Sequence, residues 1–154
     1  MSKLEQELAK RLKGFENKVA KVGWFPSAQY PDDEGGLHVA EAAIINELGA
    51  PAANIPARPF IRPTIEREGK GWAEQLQKGA RAVMRGAISA DEVLHVVGRK
   101  AASDIQKTIS EVRNPPLAPS TLAKRRAGGY TDQPLHRTGL MISTCTNTVG
   151  APEE

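Results

Sequence analysis

Two long runs of helical periodicity, residues 64–87 and 90–112, limit this chain to folds that can cover two amphipathic helices at once. In the first, Trp72, Leu76, Ala80, Val83 and Ala87 step by four, four, three and four. In the second, Val93, Val97, Ala101, Ile105, Ile109 and Val112 line one side over about six turns of helix. Ser89 opens the second run, and Asp91 and Glu92 suit the positive end of its dipole. A short break joins the two as an αα-hairpin. Each stripe must then be buried against a sheet, against the other helix or against a neighbouring subunit.

Shorter elements surround this pair. Leu4, Leu8, Leu12 and Phe15 predict an N-terminal helix over 2–17, capped by Ser2 and weakened at its end by Gly14. Residues 18–25, rich in Val and aromatics, predict a strand stopped by Pro26. Residues 26–36 read as a mobile surface loop, followed by a short helix that Gly49 ends. Four prolines over 51–63 deny backbone donors and predict an extended arm rather than helix. Beyond Asn114 come a proline-led approach to a short helix starting at Pro119 or Ser120, and a GGYTDQP loop. A last strand over 141–149 should pair with 18–25, leaving a frayed tail at 150–154. The expected fold class is α+β: a small antiparallel sheet against two long amphipathic helices, with extended Pro-rich arms. The length of 154 residues suits a single domain, 1–154. With aromatics at only 5%, the core must rest on Val, Ile, Leu and Ala, which favours helices over an all-β sandwich.

Charge is distributed unevenly. Residues 1–98 carry 13 basic and 13 acidic side chains, whereas 99–137 carry 8 basic against 3 acidic. The basic stretch contains Lys124, Arg125, Arg126 and Arg137, candidates to face DNA or an acidic partner; a solvated basic face is the plainer reading. No apolar run approaches the ~18 residues of a membrane span, and the charged N-terminus lacks the centre of a signal peptide. No membrane partner is therefore expected, and a reducing compartment suits the lone Cys145.

Catalytic patterns are sparse. His38, His95, His136 and Cys145 stand singly, without metal-ligand spacing, so no metal and no cofactor is expected. Cys145 beside His136 could form a nucleophilic pair, but in an alternating strand it reads as a small buried hydrophobe. Pro31-Asp32 and Glu68-Gly69-Lys70 match the bare letters of a Mg²⁺-dependent nuclease site without the flanking strands that would fix its geometry. Lys124-Arg125-Arg126 has Tyr130 nearby but no reading helix, which leaves nonspecific contact with DNA phosphate open.

Several segments taken in order carry more information. They are VGWFPSAQY, HVAEAAIINELGA, IPARPFIRPTI, PPLAPSTLAKRR and PLHRTGLMIST. This succession resembles the small tail-completion or neck (head-tail joining) proteins of long-tailed phages, the family related to lambda minor tail protein Z. Asn46-Glu47-Leu48-Gly49 matches that family's helix end, and Pro56-Ala57-Arg58-Pro59-Phe60 its arm. Pro116-Leu117-Ala118-Pro119-Ser120-Thr121 matches a third segment, and Pro134-Leu135 with Thr138-Gly139-Leu140 its final turn. Where such proteins often carry an acid before the Thr-Gly pair, this chain carries Arg137. The resemblance implies a noncatalytic virion protein, made in the host cytoplasm and placed at the head-tail junction. Its partners would be copies of itself in a ring, expected to be six-fold, the tail terminator or tail tube protein, and head connector proteins, with genome DNA passing nearby. Arg58, Phe60, Arg62, Leu117 and Leu135 are the candidate interface residues, an aromatic among guanidinium groups being a composition enriched at interfaces. The competing expectation places Phe60 in the chain's own core. A Mg²⁺-dependent nuclease and a nonspecific DNA-binding accessory protein are the alternatives.

Overall fold

A computed structural model of the chain describes residues 1–32 and 35–152. Among them are helices α1 (Lys3–Leu12), α2 (Val39–Leu48), α3 (Ile61–Met84), α4 (Ala90–Glu111), α5 (Pro119–Ala127) and α6 (Leu140–Ser143). Strands β1 (Val19–Gly23) and β2 (Thr146–Gly150) form one two-stranded antiparallel sheet. The protein is α+β, with the small sheet and the two long helices expected from the sequence. Within the span expected as one domain, the chain divides into two compact units.

The first unit comprises Met1–Val22, Glu66–Ser103 and the segment from Thr146. Its helices start where side chains can serve the orphan donors of a first turn. Ser2 Oγ accepts from Glu5 N–H at 3.2 Å while Ser2 N–H donates to the Glu5 carboxylate at 2.6 Å. Ser89 and Glu92 repeat this capping box at the head of α4. The expected helix over 2–17 is α-helical only to Leu12; a 3₁₀ turn, Lys13–Phe15, follows at Gly14. Arg11 Nη1 reaches the C-terminal end of α3 and donates to Met84 O at 2.9 Å. Val83, Ala90, Val93, Leu94, Ala101 and Ala102 are buried apolar residues of this unit. Gly79 makes the approach of α3 to Val93 possible, because a Cβ there would collide with the valine's methyl groups. Gly98 does the same for β2: a Cβ would come within 2.7 Å of the Asn147 amide. The stripe of α3 is only partly covered, since Leu76 is exposed and Ala87 lies beyond the helix end.

The second unit comprises Gly23–Ile65 and Asp104–Cys145. Its fully buried side chains include Phe60, Ile109, Val39 and Thr64. Trp24 meets Phe60 edge to face, with centroids 5.9 Å apart, and its indole N–H donates to Met141 O at 2.8 Å. Thr64 Oγ1 lies 2.6 Å from both Phe60 O and Thr108 Oγ1, and Thr108 Oγ1 lies 3.1 Å from Asp104 O. The two hydroxyls are buried within hydrogen-bond distance of each other, and each also reaches a backbone carbonyl four residues earlier. Replacing Thr64 alone by Val is expected to cost about 1 kcal/mol, because Thr108 loses one of its buried partners. The double change Thr64→Val with Thr108→Val should cost less than the sum of the singles. Urea unfolding of the four proteins in the double-mutant cycle checks this; strict additivity would show the pair to be uncoupled.

Two expectations are corrected here. The 51–63 stretch is not an extended arm throughout. Pro51–Ala53 is a 3₁₀ turn, closed by reciprocal backbone bonds between Ala50 and Ile55, and α3 begins at Ile61. Pro63 is tolerated because it occupies the first helical turn, where an N–H has no intrahelical acceptor. The last strand is shorter than 141–149: residues 140–143 are helical, entered through Gly139 at φ 76°, and pairing starts at Thr146. The 26–36 loop is tied by Tyr30 N–H to Leu37 O, Gly36 N–H to Pro31 O, and an antiparallel bridge between Gln29 and His38. Asp33 and Glu34 of that loop, and Glu153 and Glu154 of the expected tail, lie outside the described residues.

Candidate functional site

The second unit joins four of the segments singled out in the sequence, and the joint is polar. Glu47, on the last turn of α2, is 5% exposed and turns its carboxylate toward the start of α3. It accepts from the backbone N–H groups of Phe60 (2.7 Å), Ile61 (2.9 Å) and Arg62 (3.2 Å), and from Arg62 Nε at 3.2 Å. An acid from another helix therefore does the work of an N-cap, and the next position, Pro63, has no N–H to satisfy. Burial alone would raise the Glu47 carboxyl pKa; the bonds from Ile61, Phe60 and Arg62 outweigh it and hold the group below the usual value. Gly49 makes the turn that brings the arm back. It has φ 76°, and a Cβ there would sit 2.7 Å from the Ala57 nitrogen.

Arg58 ties the arm to the segment that precedes α5. Its backbone N–H donates to Asn46 O at 2.7 Å, Nε donates to Pro115 O at 2.8 Å, and Nη2 donates to Pro116 O at 3.0 Å. Pro115 and Pro116 lie between α4 and α5 in no helix or strand, so the fork of a buried guanidinium can take their two carbonyls in sequence. Arg58 is 6% exposed and Phe60 is completely buried, and Leu135 is buried as well. Phe60 is thus a core residue, as the competing expectation has it, and Glu47 with the Pro115 and Pro116 carbonyls holds the arm there; Arg58 and Leu135 keep little exposed surface and line a cavity. Leu117 is half-buried, and Arg62 keeps an exposed guanidinium while serving Glu47.

The basic candidates do not form a uniform patch. Arg125 is half-buried, and its Nη1 donates to Thr131 O (3.2 Å) and Gln133 O (2.7 Å), closing the loop after α5. Burial first, and then repulsion from Arg137 and Arg58, lower its pKa from the usual arginine value against the pull of Asp132. Arg126 forms a bidentate pair with Asp132, at 3.0 and 2.6 Å to Oδ2, which lowers the Asp132 carboxyl pKa. The Arg137 guanidinium lies 4.9 Å from the centroid of the Tyr130 ring. Gly128 makes room for that ring, which a Cβ would approach to 2.8 Å. Lys124 is exposed on α5. One of the four candidate cations is therefore neutralised by an acid, one serves backbone carbonyls, and one stacks on an aromatic.

The letters of the nuclease pattern do not assemble as a site on α3. Glu68 and Lys70 are two positions apart on one helix, so they point to opposite sides of it, and Glu68 is paired with Arg67 at 2.9 Å. Among the described residues no group of three His, Cys, Asp or Glu side chains is gathered as metal ligands. Cys145 falls after α6 and before β2 in the chain, not within an alternating strand, and burial pushes its thiol up to about 11. At neutral pH it is a protonated core residue. No helix among the described residues is long and apolar enough to cross a membrane.

Comparison with protein families, curated proteins and solved structures finds no match to this chain.

Proposed function

We propose that this protein is a noncatalytic assembly subunit of a long-tailed phage particle, completing the tail and joining it to the head as a ring of copies. The ordered resemblance of residues 18–149 supports this reading. The observation that carries it structurally is the outer side of α2. That helix is apolar almost all round, a composition expected of a helix covered on every side. Yet only Val39, Ala43 and Glu47 are buried, while Ile44 is 56% and Leu48 63% exposed. Beside Leu48 runs a groove of about 600 Å³ lined by Pro51, Ile55, Pro56 and Pro116. A stiff, proline-rich wall loses little conformational freedom when another subunit docks on it.

On this reading the contact surface is α2 with the 51–56 turn, and Phe60 lies beneath it in the core. Covering the surface that Ile44 and Leu48 still expose would contribute roughly 1–2 kcal/mol each. The double substitution Ile44→Asp with Leu48→Asp is expected to leave the circular dichroism and unfolding midpoint of the isolated protein near wild type. Incorporation into particles, measured by quantitative peptide mass spectrometry of purified virions, should fall by at least a factor of ten. Cryo-electron microscopy of wild-type particles tests the reading as a whole. A ring of this chain at the head-tail junction is the expected result, and absence of the chain from mature virions would refute it.

A further inference from the structure

The outer side of α3 carries a row of cations. Lys70, Lys78, Arg81 and Arg85 are all exposed and all belong to the first unit. At about 100° per residue they fall within roughly 80° of one another around the helix, and they extend over about 22 Å of its length. Arg85 keeps the helical spacing just past Met84, because its backbone N–H donates to Arg81 O at 3.2 Å. The apolar stripe of Trp72, Leu76, Ala80 and Val83 lies on the opposite side of the helix. Within the sector of the row α3 places one acid, Glu74, and no apolar or aromatic side chain. Arg67 falls there too, and is engaged by Glu68 at 2.9 Å.

Neither the helix nor its solvation calls for such a row. Lys78, Arg81 and Arg85 follow at spacings of three and four, and like charges at those spacings weaken a helix. The negative end of the α3 dipole favours Arg81 and Arg85, but its effect fades within the last turn and does not reach Lys78 or Lys70. The exposed side of α4 shows what solvation alone produces: Asp91, Glu92, Arg99, Lys100, Lys107 and Glu111 mix both signs.

The composition of the face selects the partner. Protein interfaces are poor in lysine and centre on aromatic or apolar anchors, which this face lacks. Single-stranded nucleic acid is held by stacking its bases on aromatic rings, which are missing here as well. A duplex needs neither, since it offers a stiff array of phosphates with one charge per about 1.7 Å of axis. An exposed ion pair is worth little, so an acid beside one of these cations does not withhold it from a polyanion that sheds its counterions on binding. We propose that the outer face of α3 is a sequence-independent contact for the backbone of duplex DNA, in which Lys70, Lys78, Arg81 and Arg85 meet phosphates and Glu74 opposes them. This contact does not rest on the phage reading, because it is measured on the isolated protein, and its failure would leave that reading untouched.

The test is fluorescence anisotropy of a labelled duplex of about 20 base pairs, titrated with the full chain from about 50 to 150 mM NaCl. Neutralising about four phosphates gives a slope of log K against log salt of about −3.6, hence roughly 50-fold weaker binding across that range. Lys78→Gln with Arg81→Gln keeps good helix formers at exposed positions. It should weaken binding at the lower salt at least tenfold and reduce the slope by about 2. Arg99→Gln with Lys124→Gln removes the same charge from exposed positions elsewhere and should weaken binding less than threefold. Glu74→Gln should tighten binding about threefold, a gain that a folding defect cannot mimic. Equal losses in the two double variants would show that net charge alone attracts the duplex, and would overturn the assignment to α3. Competition by poly-glutamate as effective as that by unlabelled duplex would turn the face over to an acidic protein partner and overturn the assignment to DNA. A wild-type chain of folded circular dichroism that binds no duplex at the lower salt would overturn the contact itself.

Discussion

Truncation of Phe60 to alanine is expected to destabilise the isolated protein by about 3–5 kcal/mol, the range for deleting a large aromatic from a core that cannot fully close around the gap. Phe60 has no exposed surface, and its ring also receives the edge of Trp24, an arrangement worth about 0.5–1.5 kcal/mol beyond its area. The loss should therefore appear in urea unfolding of the protein alone, together with a weaker near-ultraviolet dichroism as Trp24 loses its neighbour. Phe60→Leu, which keeps most of the volume, should cost roughly half as much. A residue whose role was to meet another subunit would behave in the opposite way. Its truncation would leave the isolated protein unchanged and affect assembly only. An unfolding midpoint within error of wild type for Phe60→Ala would thus return the arm to the surface.

The legible and illegible parts of this chain divide along the range of the interactions that fix them. Ser2 with Glu5 and Ser89 with Glu92 start helices through bonds three residues apart, so the sequence shows them directly. The long periodic stripes give α3 and α4 within three residues at their ends, and the pairing of β1 with the last strand follows from two β-rich runs in a chain that has few others. The arm departs from an extended conformation because its fate is set 13 residues upstream. Proline spacing says that 51–63 resists helix, but it cannot say that Glu47 offers a ready cap to Phe60, Ile61 and Arg62. With that cap, helix can begin two residues ahead of Pro63. The 140–143 turn departs from the strand expectation for a related reason: the alternation of Thr, Cys and Val lies beyond it, at 144–149, while Gly139 admits a left-handed entry that favours a helical turn. Arg58, Arg125 and Arg137 are separated by 67 and 12 positions, and no local pattern marks them as lining one cavity. The one hint was compositional, an excess of basic residues over 99–137 that the surrounding acids do not balance.

Glu47→Ala is expected to cost about 3–5 kcal/mol, because it removes a charged acceptor from three buried or half-buried backbone donors at once and leaves them with no replacement. Glu47→Gln keeps one carbonyl oxygen and should cost about 1–3 kcal/mol, since a neutral acceptor loses the charge assistance and the attraction to the N-terminus of α3. Acid supplies an independent check with a definite sign. The Glu47 carboxyl has its pKa lowered in the folded protein relative to an ordinary value of 4.5. A depressed folded value means that the unfolded chain takes up the proton first as pH falls. The contribution is therefore complete above the unfolded value and is lost as pH drops through the folded one. Between pH 7 and pH 3 the wild type should lose stability more steeply than Glu47→Ala, so that the gap between the two narrows toward acid. Urea unfolding at pH 7, 5, 4 and 3 measures that gap. A gap that stayed constant over this range would mean that the carboxylate charge contributes nothing, and that Glu47 matters only for the space it fills between α2 and the arm.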